Sequence, residues 1–276
     1  MDGTRAQQET NARTARVAGH FGEFLQGRFG ADVALVTLPC QALAMQAHVA
    51  PGALSVAGHS AVSDARARVL FEALGTVPRG RFCVSGPLPP GGGAGASTAG
   101  LVALARAAGC DASPDALAQA CLAAEGAVDP VMLARPGAVL WAPRRATVLR
   151  RLPVPPPFAV LGGFWGPGEA TDPNDTDFPD ISDLVGAWAT AAGQRDRATL
   201  ARLASLSAER TTALRGPKGD PTAELARSLG ALGHVRAHTG SARALLFAPG
   251  GVPDGAAETL LAAGFRDIVR FTGPRA

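Results

Sequence analysis

Residues 81–109 read RFCVSGPLPPGGGAGASTAGLVALARAAG. The stretch opens on a short apolar run, Phe82 to Ser85, that suits a β-strand. A loop of proline and glycine follows. The chain then turns helical from Ser97 to Ala108, with Leu101, Leu104, Ala105 and Ala108 on one face. Ser97 stands where an N-cap belongs. Residues without a Cβ let successive amides turn toward one centre, and the helix N-terminus adds unpaired N–H groups and about half a positive charge. Strand, loop and capped helix in this order predict an anion cradle of the kind that holds phosphate. The alternative reading is a flexible Gly/Ala connector with no ligand. Two common phosphate loops are excluded. A Walker loop needs Gly-Lys-Ser/Thr before its helix, and this loop has no lysine. A dinucleotide fingerprint needs G-x-G-x-x-G, and the third glycine position after Gly91 and Gly93 holds Ala96.

Outward from this loop, short apolar runs alternate with longer helical patterns, which predicts a mixed α and β architecture. Strands are expected at Ala34 to Leu38, Leu43 to Val49, Phe82 to Ser85, Phe158 to Gly162, Ala244 to Phe247 and Ile268 to Phe271. Val139 to Trp141 and Thr147 to Leu149 read as a hairpin. Helices are expected at Asp64 to Leu74, Ser97 to Ala108, Pro114 to Glu125, Ile181 to Ala192, Arg197 to Leu206, Thr222 to Leu232 and Ala256 to Ala263. The tract Leu152-Pro153-Val154-Pro155-Pro156-Pro157 sustains neither helix nor central strand and marks the expected domain boundary. Between Gly162 and Asp180 the residues are rich in Gly, Pro, Asp and Asn, which reads as a long loop suited to act as a lid.

The composition narrows the function. The 276 residues are 47% apolar, enough for one large core or two modest ones. Lys+Arg 26 against Asp+Glu 23 leaves a net charge of only +3, scattered along the chain, so a nucleic-acid partner is not expected. No run approaches the roughly 18 to 20 apolar residues of a membrane span, and the polar start MDGTRAQQETNART lacks the apolar core of a signal peptide. A cytoplasmic location without membrane association is the expectation. Cys40, Cys83, Cys110 and Cys121 form no CxxC pair, which argues against a zinc ribbon or a redox site and predicts small buried apolar residues.

Four ordered segments carry a resemblance. PLPPGGGAGASTAG resembles the second motif, P-x-x-x-G-L-G-S-S-A, of the small-molecule kinases grouped with galactokinase, homoserine kinase, mevalonate kinase and phosphomevalonate kinase, the GHMP kinases. Pro89, Gly93, Gly95 and Ser97 stand at motif positions. GHFGEFLQGR, Gly19 to Arg28, resembles the first motif in the form associated with the L-threonine kinases of cobalamin biosynthesis, and VTLPC, Val36 to Cys40, fits that branch. EGAVDPVML, Glu125 to Leu133, resembles its Glu-Pro-Thr-Asp segment, and HTGSARALLF, His238 to Phe247, its third motif. The departures are Ala96 in place of the first paired serine, Thr98 after Ser97, and Arg243 where a small residue is expected.

The resemblance implies an ATP site made by Pro89, Pro90, Gly91, Gly92, Gly93, Ala94, Gly95, Ala96, Ser97 and Thr98, with Ser97 and Glu125 holding Mg2+. Independently of it, Glu125 falls at the end of a helix that starts with Ser113 as cap and Pro114 at its first position and stops at Gly126. A carboxylate at that negative end is disfavoured by about 0.3–1 kcal/mol, and a nearby cation reverses the sign. Asp129, on the turn beyond, either accepts the acceptor's proton, grips its amino group, or caps the turn. His20 and Glu23 are expected to border the acceptor pocket, although burial of Glu23 by loop amides is a structural alternative. Gln26 would bond substrate or backbone. Thr239, Gly240 and Ser241 would supply donors near phosphate and substrate. His238 reads as loop structure, Arg243 as a solvent-facing charge or a phosphate clamp, and Trp141 and Trp188 as packing.

These readings combine into an α+β, two-domain GHMP kinase fold. A disordered tail, residues 1–14, is followed by a ribosomal S5 domain 2-like nucleotide domain, 15–155, and a ferredoxin-like domain, 156–276, with the active site between the two. The implied activity is transfer of the ATP γ-phosphoryl to L-threonine, giving O-phospho-L-threonine for cobalamin, and the chain is a candidate homodimer. Three competing readings are a kinase for another alcohol such as homoserine, an inactive ligand-binding regulator on the same fold, and an unrelated glycine-loop binding protein.

Overall fold

A computed structural model describes residues 13–77 and 79–274. The expected disordered tail lies outside the described residues except for Arg13 and Thr14, which instead open the first strand. Among the described residues ten strands form one curled sheet. They are β1 Arg13–Phe29, β2 Asp32–Ala53, β3 Ser55–Gly58, β4 Arg79–Ser85, β5 Val139–Ala142, β6 Thr147–Arg151, β7 Phe158–Phe164, β8 Gly233–Arg236, β9 Ala242–Phe247 and β10 Arg266–Gly273. The order across the sheet is β10-β7-β9-β8-β1-β2-β4-β3, and the β5–β6 hairpin joins β2 at its side. The α-helices are α1 Asp64–Ala73, α2 Ala96–Ala107, α3 Pro114–Glu125, α4 Ser182–Gly193, α5 Arg197–Arg215, α6 Thr222–Ser228 and α7 Ala256–Ala262. Among the described residues no helix is long and apolar enough to cross a membrane.

The strands after the proline tract run in the order β10-β7-β9-β8 with every pair antiparallel. With helices between β7 and β8 and between β9 and β10, this is the ferredoxin-like βαββαβ arrangement. The proline tract runs without regular structure between β6 and β7, where the chain leaves one half of the sheet for the other. The halves meet where Glu23 of β1 stands opposite Arg236 of β8, and Arg28 of β1 also bridges to Asp180. They also share a core. The ring of Phe24 on β1 lies 5.0 Å from that of Trp188 on α4 and 5.8 Å from that of Phe158 on β7. Each such aromatic side chain contributes about 1.5–3 kcal/mol by burial. A smaller cluster, with Leu161, Phe247, Leu260 and Phe265, packs beneath α6 and α7.

Two expected strands, Ala34 to Leu38 and Leu43 to Val49, are one continuous strand, β2. β1, β3 and β8 form where no strand is expected. β8 begins just beyond the expected helix Thr222 to Leu232, which stops early, at Ser228. β1 escapes detection for a physical reason. From Gly19 to Gly27 every residue is buried, so the strand lacks the alternation of a half-exposed one. α5 runs past Leu206 to Arg215. Of the cysteines, Cys40 and Cys121 are buried as expected, whereas Cys83 is exposed.

Candidate active site

The pairing of β1 with β2 slips between Ala18 and Gly19 and again between His20 and Glu23. Such bulges re-aim side chains, and here Phe21 and Gly22 are left without a β2 partner between the paired residues His20 and Glu23. Gly22 in the bulge has φ +74° and its missing Cβ would lie 2.8 Å from the Arg236 carbonyl carbon, so only glycine fits. The bulge docks on the glycine loop: the His20 amide donates to Ala94 O at 3.1 Å.

Loop residues 89–95 are held from three sides. The Gly91 carbonyl accepts from Glu169 N at 2.9 Å, Gly92 from Ala242 N at 2.8 Å, and Ala94 from His20 N. In a trans peptide the C=O of one residue opposes the N–H of the next. The N–H groups of Gly93 and Gly95 therefore point away from Ala242 and His20 respectively. Helix α2 begins at Ala96, and its cap is Gly95 in the left-handed conformation at φ +77°, with no side-chain cap. This corrects the assignment of Ser97 as N-cap. The Ser97 hydroxyl instead donates to Ala61 O at 3.3 Å and accepts from Arg66 Nη1 at 2.9 Å.

The cleft holds about 270 Å³ and is lined by the whole run from Pro89 to Thr98, together with Ser60, Ala61, Arg66, Glu125, Asp129 and Glu169 to Thr171. Arg66, on the first turn of α1, supplies the cation that the lysine-free loop lacks. Nothing local in the sequence marks it, because its partner Ser97 lies 31 residues away.

Thr98, at the departure from the family pattern, ties the site together. Its hydroxyl donates to Glu125 Oε1 at 2.5 Å and accepts from the Asp129 amide at 3.2 Å. Glu125 ends α3 at Gly126, φ +76°, as expected. Burial pushes its carboxyl up to about 7, with the Ser97 and Thr98 hydroxyls and Arg66 opposing the rise. Hydroxyl and carboxylate oxygens are the hard donors that Mg2+ takes alongside phosphate, so Ser97 and Glu125 fit that ion. Thr98 is occupied in positioning both acids.

His20 lies between two carboxylates: its Nε2 is 3.2 Å from Asp129 Oδ2 and its Nδ1 3.5 Å from Glu23 Oε1. Burial opposes its charge, yet Asp129 and Glu23 together raise its pKa to about 9. Glu23 is pushed up to about 7, chiefly by burial. Asp129 is held below the usual carboxylate range: burial works against this, and the His20 charge prevails. The outcome is an ionised Asp129 at the cleft beside a charged imidazolium. Gly95 leaves room for this pair, since a Cβ there would meet His20 Cδ2 at 2.7 Å.

The remaining expected residues divide. Gln26 faces away from the cleft, with its Nε2 donating to Arg236 O at 3.0 Å and its amide to Ser207 Oγ at 2.9 Å. The backbone claims it. Gly240, φ +63°, packs directly on Gly92 and Gly93. Thr239 Oγ1 meets Thr171 Oγ1 at 2.9 Å, joining the third motif to the 162–180 loop. Ser241 is buried, with its carbonyl accepting from Trp165 N at 2.9 Å. His238 stacks on Phe178 at 5.2 Å, and burial lowers its pKa to about 4. Arg243 is no solvent-facing charge: it is 2% exposed and paired with Asp220 Oδ2 at 2.7 Å.

With this geometry the chain can be set beside solved structures. It matches L. major mevalonate kinase, crystallised with R-mevalonate, at 15% identity over 96% of each chain, TM-score 0.65. It matches homoserine kinase from Cytophaga hutchinsonii at 15% identity over 99% of this chain and 97% of that one, TM-score 0.63. It has the GHMP kinase fold. Streptococcus pneumoniae phosphomevalonate kinase matches at 12% identity over 95% of this chain and 99% of that one, TM-score 0.63. No protein-family model matches the sequence, and no curated protein does.

Proposed function

We propose that this protein is an ATP-dependent kinase that phosphorylates the hydroxyl of L-threonine to O-phospho-L-threonine, a step of cobalamin biosynthesis. One observation carries the reading. An ionised Asp129 and the Ser97–Glu125 oxygen pair converge on one cleft at the mouth of a glycine loop. Phosphoryl transfer asks for little else: an oriented hydroxyl, an acceptor for its proton, and neutralisation of the triphosphate. The Gly93 and Gly95 amides, the start of α2 and Arg66 receive the phosphates. Ser97 and Glu125 hold Mg2+, which when bound neutralises charge on the transferring phosphoryl group. Asp129 takes the hydroxyl proton, and the imidazolium of His20 keeps it ionised until then. Glu23 supports His20 from behind. The threonine assignment rests on the resemblance of GHFGEFLQGR, EGAVDPVML and HTGSARALLF to that branch.

The test is ADP release with ATP and Mg2+ against L-threonine, L-homoserine and other small alcohols, with the Glu125→Ala variant alongside. Turnover that is highest with L-threonine and lost in the variant supports the reading. Preference for homoserine transfers the assignment to that acceptor, as fold neighbours of that name would suggest. Equal background ADP from both proteins with every alcohol rejects catalysis.

A further inference from the structure

The 162–180 loop divides into two parts that are held very differently. From Asp172 to Asp180, six main-chain carbonyls each accept from an arginine. Arg144, on the turn between β5 and β6, donates to Asp172 O at 3.1 Å and Pro173 O at 2.6 Å. Arg215 and Arg210 of α5 donate to Asp177 O at 3.0 Å and Asp180 O at 2.9 Å. Arg28 of β1 donates through its side chain to Phe178 O at 3.0 Å and through its amide to Pro179 O at 2.8 Å. Phe178 is buried, with the Arg215 guanidinium 4.4 Å from its ring centroid and His238 stacked against it. Two of these arginines precede the proline tract and two follow it, so this part of the loop straps both halves of the sheet.

Residues 167–171 are exposed and loosely tied. Among the described residues they make two hydrogen bonds to the rest of the chain, Glu169 N to Gly91 O at 2.9 Å and Thr171 Oγ1 with Thr239 Oγ1 at 2.9 Å. Gly166, just before them, has φ +77° with open space where a Cβ would stand, which suits a hinge, and the strap supplies the other fixed end. The segment rests directly on the glycine loop: a Cβ on Gly168 would lie 3.0 Å from Pro90 O. Segments with few buried contacts open locally at low free-energy cost, so this one opens before the strap does.

The same few residues wall two spaces. Glu169, Ala170 and Thr171 line the phosphate cleft, and Pro167, Gly168 and Glu169 line a second cavity of about 320 Å³ behind the loop. The cleft's 270 Å³ falls short of the roughly 300–1,000 Å³ that a small-molecule site spans. Its least-tied wall is the one free to widen it.

We propose that residues 167–171 form a hinged lid, latched by Thr171 to Thr239, that swings off the glycine loop to admit and release nucleotide while 172–180 stays fixed. The inference rests on the kinase reading for what passes beneath the lid. One opening widens both spaces, because Glu169 stands on the rim of each.

The experiment uses the full chain carrying Thr171→Cys and Thr239→Cys together, on a Cys83→Ser, Cys110→Ser background that leaves only buried native thiols. Oxidised glutathione takes two electrons and two protons from the facing thiols and closes the latch as a disulfide; dithiothreitol reopens it. Two readouts compare the oxidised and reduced forms of the same protein. The first needs no ligand. Among the described residues Glu169 is the one glutamate outside a helix or strand, so cleavage there by a glutamate-specific protease reports lid opening. The second is the association rate of a fluorescent N-methylanthraniloyl ATP with Mg2+. Both rates should fall by about 10-fold or more in the oxidised form, since a covalent tie removes the opening that each requires. Thr171→Val in the otherwise native chain removes one neutral hydrogen bond and should speed cleavage after Glu169 by about 2- to 12-fold.

A disulfide that does not form, or cleavage that is equal in the two forms, overturns the lid. Slower cleavage with unchanged nucleotide association overturns the gate. If the nucleotide analogue binds neither form while cleavage still follows the redox state, the kinase reading fails and the lid stands.

Discussion

Thr98→Val tests whether one hydroxyl holds both acids of the site. The exchange keeps the shape of the side chain and removes its oxygen. Two hydrogen bonds go with it, the 2.5 Å donation to Glu125 Oε1 and the 3.2 Å acceptance from the Asp129 amide. A hydrogen bond to a charged group contributes about 1.5–3 kcal/mol and a neutral one about 0.5–1.5 kcal/mol. The Asp129 amide is also left without a partner beside buried Val128 and Pro130. The expected loss is about 2–4 kcal/mol, a fall in Tm of roughly 4–16 °C for a chain of this size. Denaturant titration of wild type, Thr98→Val and Thr98→Ser measures it, with Ser restoring most of the loss because it keeps the hydroxyl. A double-mutant cycle with Glu125→Gln should show coupling of about 1 kcal/mol or more. A loss under about 0.5 kcal/mol in Thr98→Val, or Ser behaving like Val, would refute the bridge.

Other consequences can be checked directly. The folded pKa of His20, about 9, lies above its ordinary 6.5, so its stabilisation is complete below pH 6.5 and is lost as pH rises through 9. His234 and His238 are depressed from 6.5 to about 4, and their contribution is lost as pH falls toward 4. Glu23 and Glu125, raised from 4.5 to about 7, lose their stabilisation across that interval and offset the two histidines there. Unfolding free energy from urea titration should therefore show its clear fall between pH 7 and 9, by up to about 1.4 kcal/mol per pH unit, and His20→Gln should flatten that alkaline limb. Gly93 has φ +69°, and a Cβ there would collide with that of Ala237. Gly93→Ala should cost about 2–4 kcal/mol by denaturation and weaken nucleotide protection, whereas the Gly75→Ala control, also at positive φ but in open space, should cost only about 1–2 kcal/mol. Asp220→Ala strands the buried Arg243 and should cost about 3–5 kcal/mol; the Asp220→Leu, Arg243→Met double variant should recover much of it.

Much of this protein is legible along the chain because it is encoded by neighbours. The strand, glycine loop and helix of residues 81–109 follow from residues that lack Cβ atoms or fix φ. Helix α3 carries its own bounds, Ser113 and Pro114 at one end and Gly126 at the other, so the residues around Glu125 suffice to put it at a helix end. The β5–β6 hairpin and the approach of Asp129 to Glu125 are likewise within reach of local rules. Tertiary structure decides what depends on partners far away. β1 sits at the centre of the sheet, where cover on both faces erases the alternation that reveals a strand. Ser97 loses its capping role because Gly95 takes the left-handed turn and Arg66 claims the hydroxyl. Gln26 turns to the β8 backbone, and Arg243 goes inside because Asp220 meets it there. Backbone preference is set within a few residues, whereas the protonation of His20 arises only when β1 and the 129 turn are folded into one low-dielectric neighbourhood.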